Sequence, residues 1–457
     1  MAPKEDDPRL HQELLLHSNT DCAQFCPVEW GRGGPAAAAA ADDGARAGHR
    51  PAADWLAVAT YELDESTRTR TGSLILYTLE KEEEDAEAEE EQQPRLRRRR
   101  HRLALSARRD ALPGVFDAQW LRLLPGWAGS CEAEWALSLA LSDGRLVVLA
   151  VEEQQQEEEE EEATGGANPT PRRLHLTQVA EWQAIRGPEE HEDDPTKRMA
   201  LMVAWERPDG QRAAVSGSGG TVAVMAAGGG NTSSANPWSE WKAHDLEAWA
   251  VAFDPWRPPA LYSGSDDASL KLWDLRMARR SSSGSGGSGS DAGAPAAAAT
   301  PALLLCDKRT HAAGVTCISP HPSREFILAT GSYDEKARLW DARRPRCPLA
   351  EVDVGGGAWR LQWRPAVEAS GGGDRDGGDL ILAACMYNGF AVLRATVLDG
   401  GEDWGLEAAE RLAEPHESIA YGCDWWRGGG GGAGAVVATA SFYDRRLCLW
   451  QPRTTTT

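Results

Sequence analysis

The chain runs to 457 residues, with 26% charged and 41% hydrophobic side chains and a formal net charge of −22. A balance of 48 Lys and Arg against 70 Asp and Glu excludes an extended basic face, and no direct nucleic-acid partner is expected. No apolar run approaches the roughly 18 residues of a membrane span, so no membrane partner is expected either.

Residues 1–13 are polar, carry no secretory pattern and are expected to be a disordered N-terminus. Leu14–Leu15–Leu16 then reads as a lone strand. Beyond it the chain falls into triplets of short segments with period-two patterning. The first is TDCAQFCP (20–27), WLAVATYE (55–62) and GSLILYTL (72–79). The second is VFDAQWLRL (115–123), WALSLALSDG (135–144) and RLVVLAV (145–151). A third comprises ALMVAWERP (200–208), RAAVSGSGG (212–220) and TVAVMAA (221–227).

Two plain repeats follow, GSDDASLKLWDLR (264–276) and TGSYDEKARLWDAR (330–343), each with an Asp six residues before its Trp. AWRLQWRP (358–365), LILAACMYNG (380–389) and FAVLRAT (390–396) make a further triplet. The chain closes with AYGCDWW (420–426), VVATASFYD (436–444) and LCLWQ (447–451), in which Asp444 again stands six before Trp450. Removing the Ser/Gly/Ala stretch 279–300 brings the 67 residues between Trp273 and Trp340 to 45, within the roughly 40–45-residue period of WD repeats. The expected fold is therefore all-β, a seven-bladed WD40 β-propeller over residues 14–451, followed by a tail, 452–457. Its clear repeats are 244–276, 311–343 and 416–451. Leu14–Leu16 would supply the outer strand of the last blade and close the ring.

Low-complexity insertions at 32–50, 80–102, 152–173, 279–300, 367–379 and 427–435 read as long disordered loops. The acidic runs 80–91 and 152–162 hold most of the negative charge, leaving the body only mildly acidic. RLRRRRHR (95–102) directly follows the first of them and reads as part of a self-neutralising loop. Nine cysteines include no paired metal-ligand spacing, so neither a metal nor a cofactor is expected. A soluble, reduced, cytoplasmic monomer, with a nuclear pool allowed, is the expectation.

His244–Ser263–Asp267–Trp273 and His311–Thr330–Asp334–Trp340 match the buried hydrogen-bonded tetrad of WD repeats, and the fold explains them without catalysis. The last repeat has Ala440 where Thr330 stands, so its tetrad is expected to be incomplete. At the heads of the innermost strands, Phe116, Trp249, Trp359 and Tyr421 share one register. A propeller's symmetry turns that register into a ring of aromatic faces around the central opening. Glu247 and Asp266 lie close by in sequence, and rings with carboxylates suit a quaternary ammonium. Packing alone also explains aromatic residues at strand heads.

KAHDLEAWAVAFDPW, YSGSDDASLKLWD, ILATGSYDEKARLWDAR, GGGAWRLQWRP, LAACMYNGF, YGCDWW and ATASFYD together resemble the diphthine methylesterase family of the diphthamide pathway, also called diphthine methyltransferases. The resemblance is dense from 241 to 451 and thin but collinear from 18 to 225. It implies hydrolysis of the methyl ester of methylated diphthine on translation elongation factor 2, the implied partner. Diphthine carries a trimethylammonium group, which is what an aromatic and acidic rim binds; Trp249, Trp359, Tyr421, Glu247 and Asp266 are the expected cation site. No family motif identifies the nucleophile. Ester hydrolysis needs an activated water or nucleophile, a base and oxyanion donors. Candidates at the rim are His311, Ser332, Tyr333, Glu335, Arg360, Cys385 and Tyr443. From a different class, WDLR (273–276) and WDAR (340–343) match the WDxR pattern of substrate receptors for a cullin-4 ubiquitin ligase, with Arg276 and Arg343 facing the adaptor. A non-catalytic interaction scaffold is the third reading.

Overall fold

In the computed structural model of the chain, the residues described are 10–26, 54–83, 99–123, 133–154, 173–186, 198–206, 212–226, 238–279, 300–365, 379–398, 403–412, 415–427 and 435–453. Among them, 28 strands form seven four-stranded sheets. The sheets are the blades of a seven-bladed propeller. The first strands of the blades are Thr20–Phe25, Val115–Arg122, Ala200–Trp205, Ala248–Phe253, Val315–Pro320, Arg360–Trp363 and Ala420–Trp425. Each touches the first strand of the next blade, and the last touches the first, so they line a closed circle.

Strands in this position are buried on both faces, which explains their continuous apolar runs. Thr20–Phe25 is buried at every residue. The core lies between blades rather than within one. Trp55 and Leu76 of blade 1 share a cluster with Trp120 and Leu137 of blade 2, and Trp120 Nε1 donates to the Gln24 carbonyl at 3.0 Å.

Blade 7 borrows its outer strand from the chain start. Leu10–Leu15 pairs with Arg446–Trp450, Leu14 opposite Leu447, which removes two open edges at once. Residues 10–13 therefore belong to the propeller and not to a disordered N-terminus, because ring closure gives them a strand to pair with. The expected insertion 80–102 is likewise shortened from both ends. Thr69–Glu83 and Arg99–Pro113 pair through Glu83 opposite Arg99, so the acidic and basic flanks are strand-paired. The insertion 32–50 and nearly all of 152–173, 279–300, 367–379 and 427–435 lie outside the described residues.

The tetrads depart from the expected pattern in two blades. In blade 4 the pattern holds: Trp273 Nε1 donates to Ser263 Oγ at 2.9 Å, His244 Nε2 lies 2.7 Å from the same hydroxyl, and His244 Nδ1 is 3.2 Å from Asp267. Burial pushes the Asp267 carboxyl up, but hydrogen bonds from His244 and Ser269 bring it below the usual range. In blade 5 His311 and Trp340 meet on Thr330 Oγ1 at 3.0 and 2.8 Å, but Asp334 is taken by Arg338 at 2.9 Å. His311 Nδ1 is left without a partner among the described residues. In blade 7 the tetrad hydroxyl is Thr439 and not the position of Ala440. Trp450 Nε1 donates to it at 2.8 Å and His416 Nε2 lies 2.8 Å away. One extra residue in the following turn hides this from a fixed-spacing alignment.

Thr439→Val should consequently destabilise the protein about as much as Thr330→Val, each by roughly 1–3 kcal/mol, because each leaves a buried Trp and the tetrad His without their shared partner. Denaturant midpoints of the two variants check this. A clearly smaller loss for Thr439→Val would restore the expectation that blade 7 lacks the tetrad.

Candidate functional site

The geometry of the central opening starts from a break in register. Six first strands carry one residue more than their partner at their heads: between Thr20 and Cys22, Val115 and Asp117, Ala200 and Met202, Ala248 and Ala250, Val315 and Cys317, and Ala420 and Gly422. Blade 6 repeats it, since Ala384 accepts from Trp359 N at 2.9 Å and also pairs with Arg360. A bulge of this kind bends the strand and re-aims the extra side chain. The extra residues, one per blade, are Phe116, Leu201, Trp249, Thr316, Trp359 and Tyr421, with Asp21 completing the circle.

The aromatic members meet. Trp249 packs edge-on against Trp359 with ring centroids 5.5 Å apart, and Trp359 lies 4.8 Å from Tyr421. Phe442, at the end of the next strand in blade 7, continues the chain of rings to Tyr421 at 5.3 Å and to Tyr61 at 5.1 Å. Tyr61 in turn touches Phe116 at 4.8 Å, and Tyr333 approaches Trp359 at 6.0 Å. Trp249, Trp359, Tyr421, Tyr333 and Tyr61 are all half-buried, while Tyr387 and Tyr443 beside them are largely exposed, at 80% and 67%.

The next residue of each first strand forms a second layer containing Cys22, Asp117, Cys317 and Arg360. Arg360 Nη1 and Nη2 both donate to Asp117 Oδ1 at 3.1 Å. Blades 2 and 6 are not neighbours, so this ion pair crosses the opening. Asp117 also accepts from Val203 N at 3.2 Å and Gln119 Nε2 at 3.3 Å. Arg360 Nε is buried with no partner among the described residues.

Asp21, 4% exposed, is the charged residue of the upper circle. Burial pushes its carboxyl from the usual 3.8 up to about 8; Arg360 pulls it down and Asp117 pushes it up. The phenols of Tyr61 and Tyr421 are held above their usual range by burial and then by the charge of Asp21. For Tyr333 burial leads, followed by Asp266 and Asp21. Three tyrosines from three blades thus feel the charge of one buried acid.

The sequence-derived candidates separate clearly in this geometry. Trp249, Trp359 and Tyr421 come together as expected. Tyr333 joins them, and Asp266 acts on it from an exposed turn. Glu247 is half-buried and contributes its backbone carbonyl to Asp266 N at 2.9 Å. Glu335 is exposed in a turn, at φ 67°. Ser332 is buried, its hydroxyl donating to the Ala313 carbonyl at 3.1 Å and accepting from Asp334 N. His311 is held by Thr330. Cys385 lies in the core, fully buried, and burial pushes its thiol up to about 12, so it is a packing residue and not a nucleophile. Arg360 is present but committed to Asp117. Among the described residues, no three His, Cys, Asp or Glu side chains group as metal ligands. Sequence reasoning missed Asp21 and Asp117; Asp21 holds in blade 1 the position that Phe116 holds in blade 2, Asp117 directly follows that position, and this shared register was the available signal.

Comparison with known proteins agrees with the fold. The WD domain, G-beta repeat family matches residues 236–274 and 304–341. A chain in the crystal structure of the mitotic checkpoint complex superposes with a TM-score of 0.52 at 13% identity, covering 99% of this chain and 95% of that one. The human diphthine methyltransferase is 35% identical over 188 residues, which is 41% of this chain and 34% of that protein. The Schizosaccharomyces pombe diphthine methyltransferase is 27% identical over 399 residues, 87% of this chain and 91% of that one. The chain is similar in sequence to proteins named diphthine methyltransferase. Its match spans about a third of the human relative's length and nearly all of the fission-yeast relative's.

The site also sets a pH dependence. A carboxyl raised from 3.8 to about 8 keeps a proton in the folded state that the unfolded chain has lost. Its contribution is therefore full at low pH and is lost as pH rises toward 8. His311 and His416 act oppositely but lower, since burial depresses them from 6.5 to about 4. Between pH 6.5 and 8, wild-type stability should fall by up to about 1.4 kcal/mol per pH unit, and Asp21→Asn should flatten that slope. Chemical denaturation at a series of pH values measures it. An unchanged slope in Asp21→Asn would place the titrating group elsewhere.

Proposed function

We propose that this protein hydrolyses the methyl ester of methylated diphthine on translation elongation factor 2, giving diphthine and methanol, as a step of diphthamide biosynthesis. The observation that carries the proposal is the continuous cluster of rings from Trp249 through Trp359 and Tyr421 to Phe442 and Tyr61, with a buried acid, Asp21, at the equivalent position of blade 1. Aromatic faces attract a quaternary ammonium through their quadrupoles, and more strongly when the site is partly desolvated. A trimethylammonium seated there brings the ester of the same side chain to the mouth. The names of the homologues support the choice of diphthine.

The same geometry favours water over a side-chain nucleophile. Cys385 is a protonated core thiol, Ser332 has its hydroxyl in a turn, and His311 is bound to Thr330. Hydrolysis by water needs only a base and donors near the carbonyl oxygen. Tyr333 and Tyr421, whose phenols stay protonated, are O–H donors at the mouth.

A second reading keeps the WDxR segments. Arg276 and Arg343 each hold the Asp two residues earlier, at 2.8 and 2.7 Å, and both are exposed. Two like-built cationic sites on adjacent blades suit a cullin-4 ligase adaptor, and this role is compatible with an esterase.

Two measurements test the proposal. Incubating the purified chain with methyl-diphthine elongation factor 2 should lower the factor's mass by one CH₂ unit; an unchanged mass contradicts it. Trp359→Leu, which keeps apolar bulk and removes the quadrupole, should weaken binding of the trimethylated substrate by about two- to thirtyfold. The same ester with an unmethylated amine, assayed at high pH, should be affected far less. Equal losses on both would make Trp359 a packing residue.

A further inference from the structure

Seven positions, one per blade, are structurally equivalent at the heads of the first strands, and only blade 1 fills its position with a charge. The second layer holds one cation, Arg360, whose terminal nitrogens both go to Asp117. Asp21 is therefore a second carboxyl beside a cation that is already paired. No hydrogen bond contributes to its ionisation among the described residues; burial, Arg360 and Asp117 alone act on it. The ionisable groups coupled to it electrostatically are Cys22 on its own strand, Asp117 from blade 2, Arg360 from blade 6, and Tyr61, Tyr333 and Tyr421. Asp424, on the neighbouring strand of blade 7, binds Phe25 N at the opposite end of Asp21's strand and sits beside Arg427. None of these groups offers Asp21 an unshared positive charge. The rings at the equivalent positions of the other blades are the place where one would arrive with a ligand.

We infer that Asp21 is the ionisable group of this mouth: a quaternary ammonium entering among the rings converts it from neutral acid to carboxylate, and that carboxylate takes a proton from the water that attacks the ester. The first half concerns cation binding alone; the second rests on the esterase reading. In the chemical step the water oxygen bonds to the ester carbonyl carbon as its proton passes to Asp21, and the carbonyl π pair moves onto oxygen. The tetrahedral anion then collapses, the bond to the methoxy oxygen breaks, and Asp21 returns its proton to the departing oxygen. Methanol and the free acid result, and the acid ionises into solvent. Coupling of this kind makes the base available only when a cationic substrate is present, so uncharged esters find a protonated acid in its place.

The test separates the two halves. Tetramethylammonium is titrated into wild type and Asp21→Asn by calorimetry in two buffers of different ionisation enthalpy at pH 7. Wild type should release about one proton per bound cation, and its affinity should rise by about tenfold per pH unit below pH 8 and level off above. Asp21→Asn should bind without release; its side chain mimics the neutral acid, so folding should be retained. Proton release that persists in the variant, or a wild-type affinity indifferent to pH, overturns the inference without using the esterase reading. On methyl-diphthine elongation factor 2, Asp21→Asn should lower kcat by about 10²- to 10⁴-fold. Retained turnover overturns the base role. If wild type itself turns over nothing while proton release is seen, the esterase reading and the base role fail and the proton-linked cation site stands.

Discussion

The central circle of side chains depends on one backbone feature, the break in register at the head of each first strand. Strict alternation would send successive side chains to opposite faces. The extra residue breaks alternation there, and because seven blades repeat it, seven side chains gather around one opening. The inter-blade cores do the work of stability with Trp, Leu, Val and Ala deeper in the strands. That division leaves the circle free to hold Phe, Leu, Trp, Thr, Trp, Tyr and Asp without weakening the ring.

Charge in the opening follows from the same layering. Burying an ion pair is tolerable when geometry is good and the remaining polar atoms are satisfied. Asp117 meets that condition with donors from Arg360, Val203 and Gln119. Asp21 has no such donors among the described residues, and burial, opposed by Arg360 and reinforced by Asp117, pushes its carboxyl up to about 8. On the proposal made above, an arriving cation would supply the positive charge that favours its ionised form. The surrounding rings determine what kind of cation suits it. A hard metal ion needs oxygen ligands, whereas a methylated ammonium is satisfied by aromatic faces.

Much of this was legible in the sequence, for reasons that are local. The Asp-to-Trp spacing exposed blades 4, 5 and 7, and period-two runs exposed the other four, because strand geometry imposes both patterns. The shared register of Phe116, Trp249, Trp359 and Tyr421 was readable because each heads a recognisable strand. What was hidden depended on contacts across the ring. Asp21 and Asp117 look like ordinary strand residues until blades 1, 2 and 6 are brought face to face. Thr439 was concealed by a single extra residue in its turn, and Asp334 by the presence of Arg338 four residues on. Residues 10–13 and the flanks of the acidic run at 80 needed distant strand partners before they could be read as anything but loop. Cys385 and Ser332 looked reactive in sequence because residue type says nothing of burial.

The central claim, that the opening is a receptor for a quaternary ammonium, is tested most directly by comparing choline with 3,3-dimethyl-1-butanol, its uncharged carbon isostere. The two have nearly the same shape, so ring packing and desolvation act on both, while only choline engages the ring quadrupoles and the buried acid. Binding measured by calorimetry or ligand-observed NMR should favour choline by about tenfold or more. Equal affinities, or a preference for the uncharged alcohol, would show an apolar cleft and contradict the account.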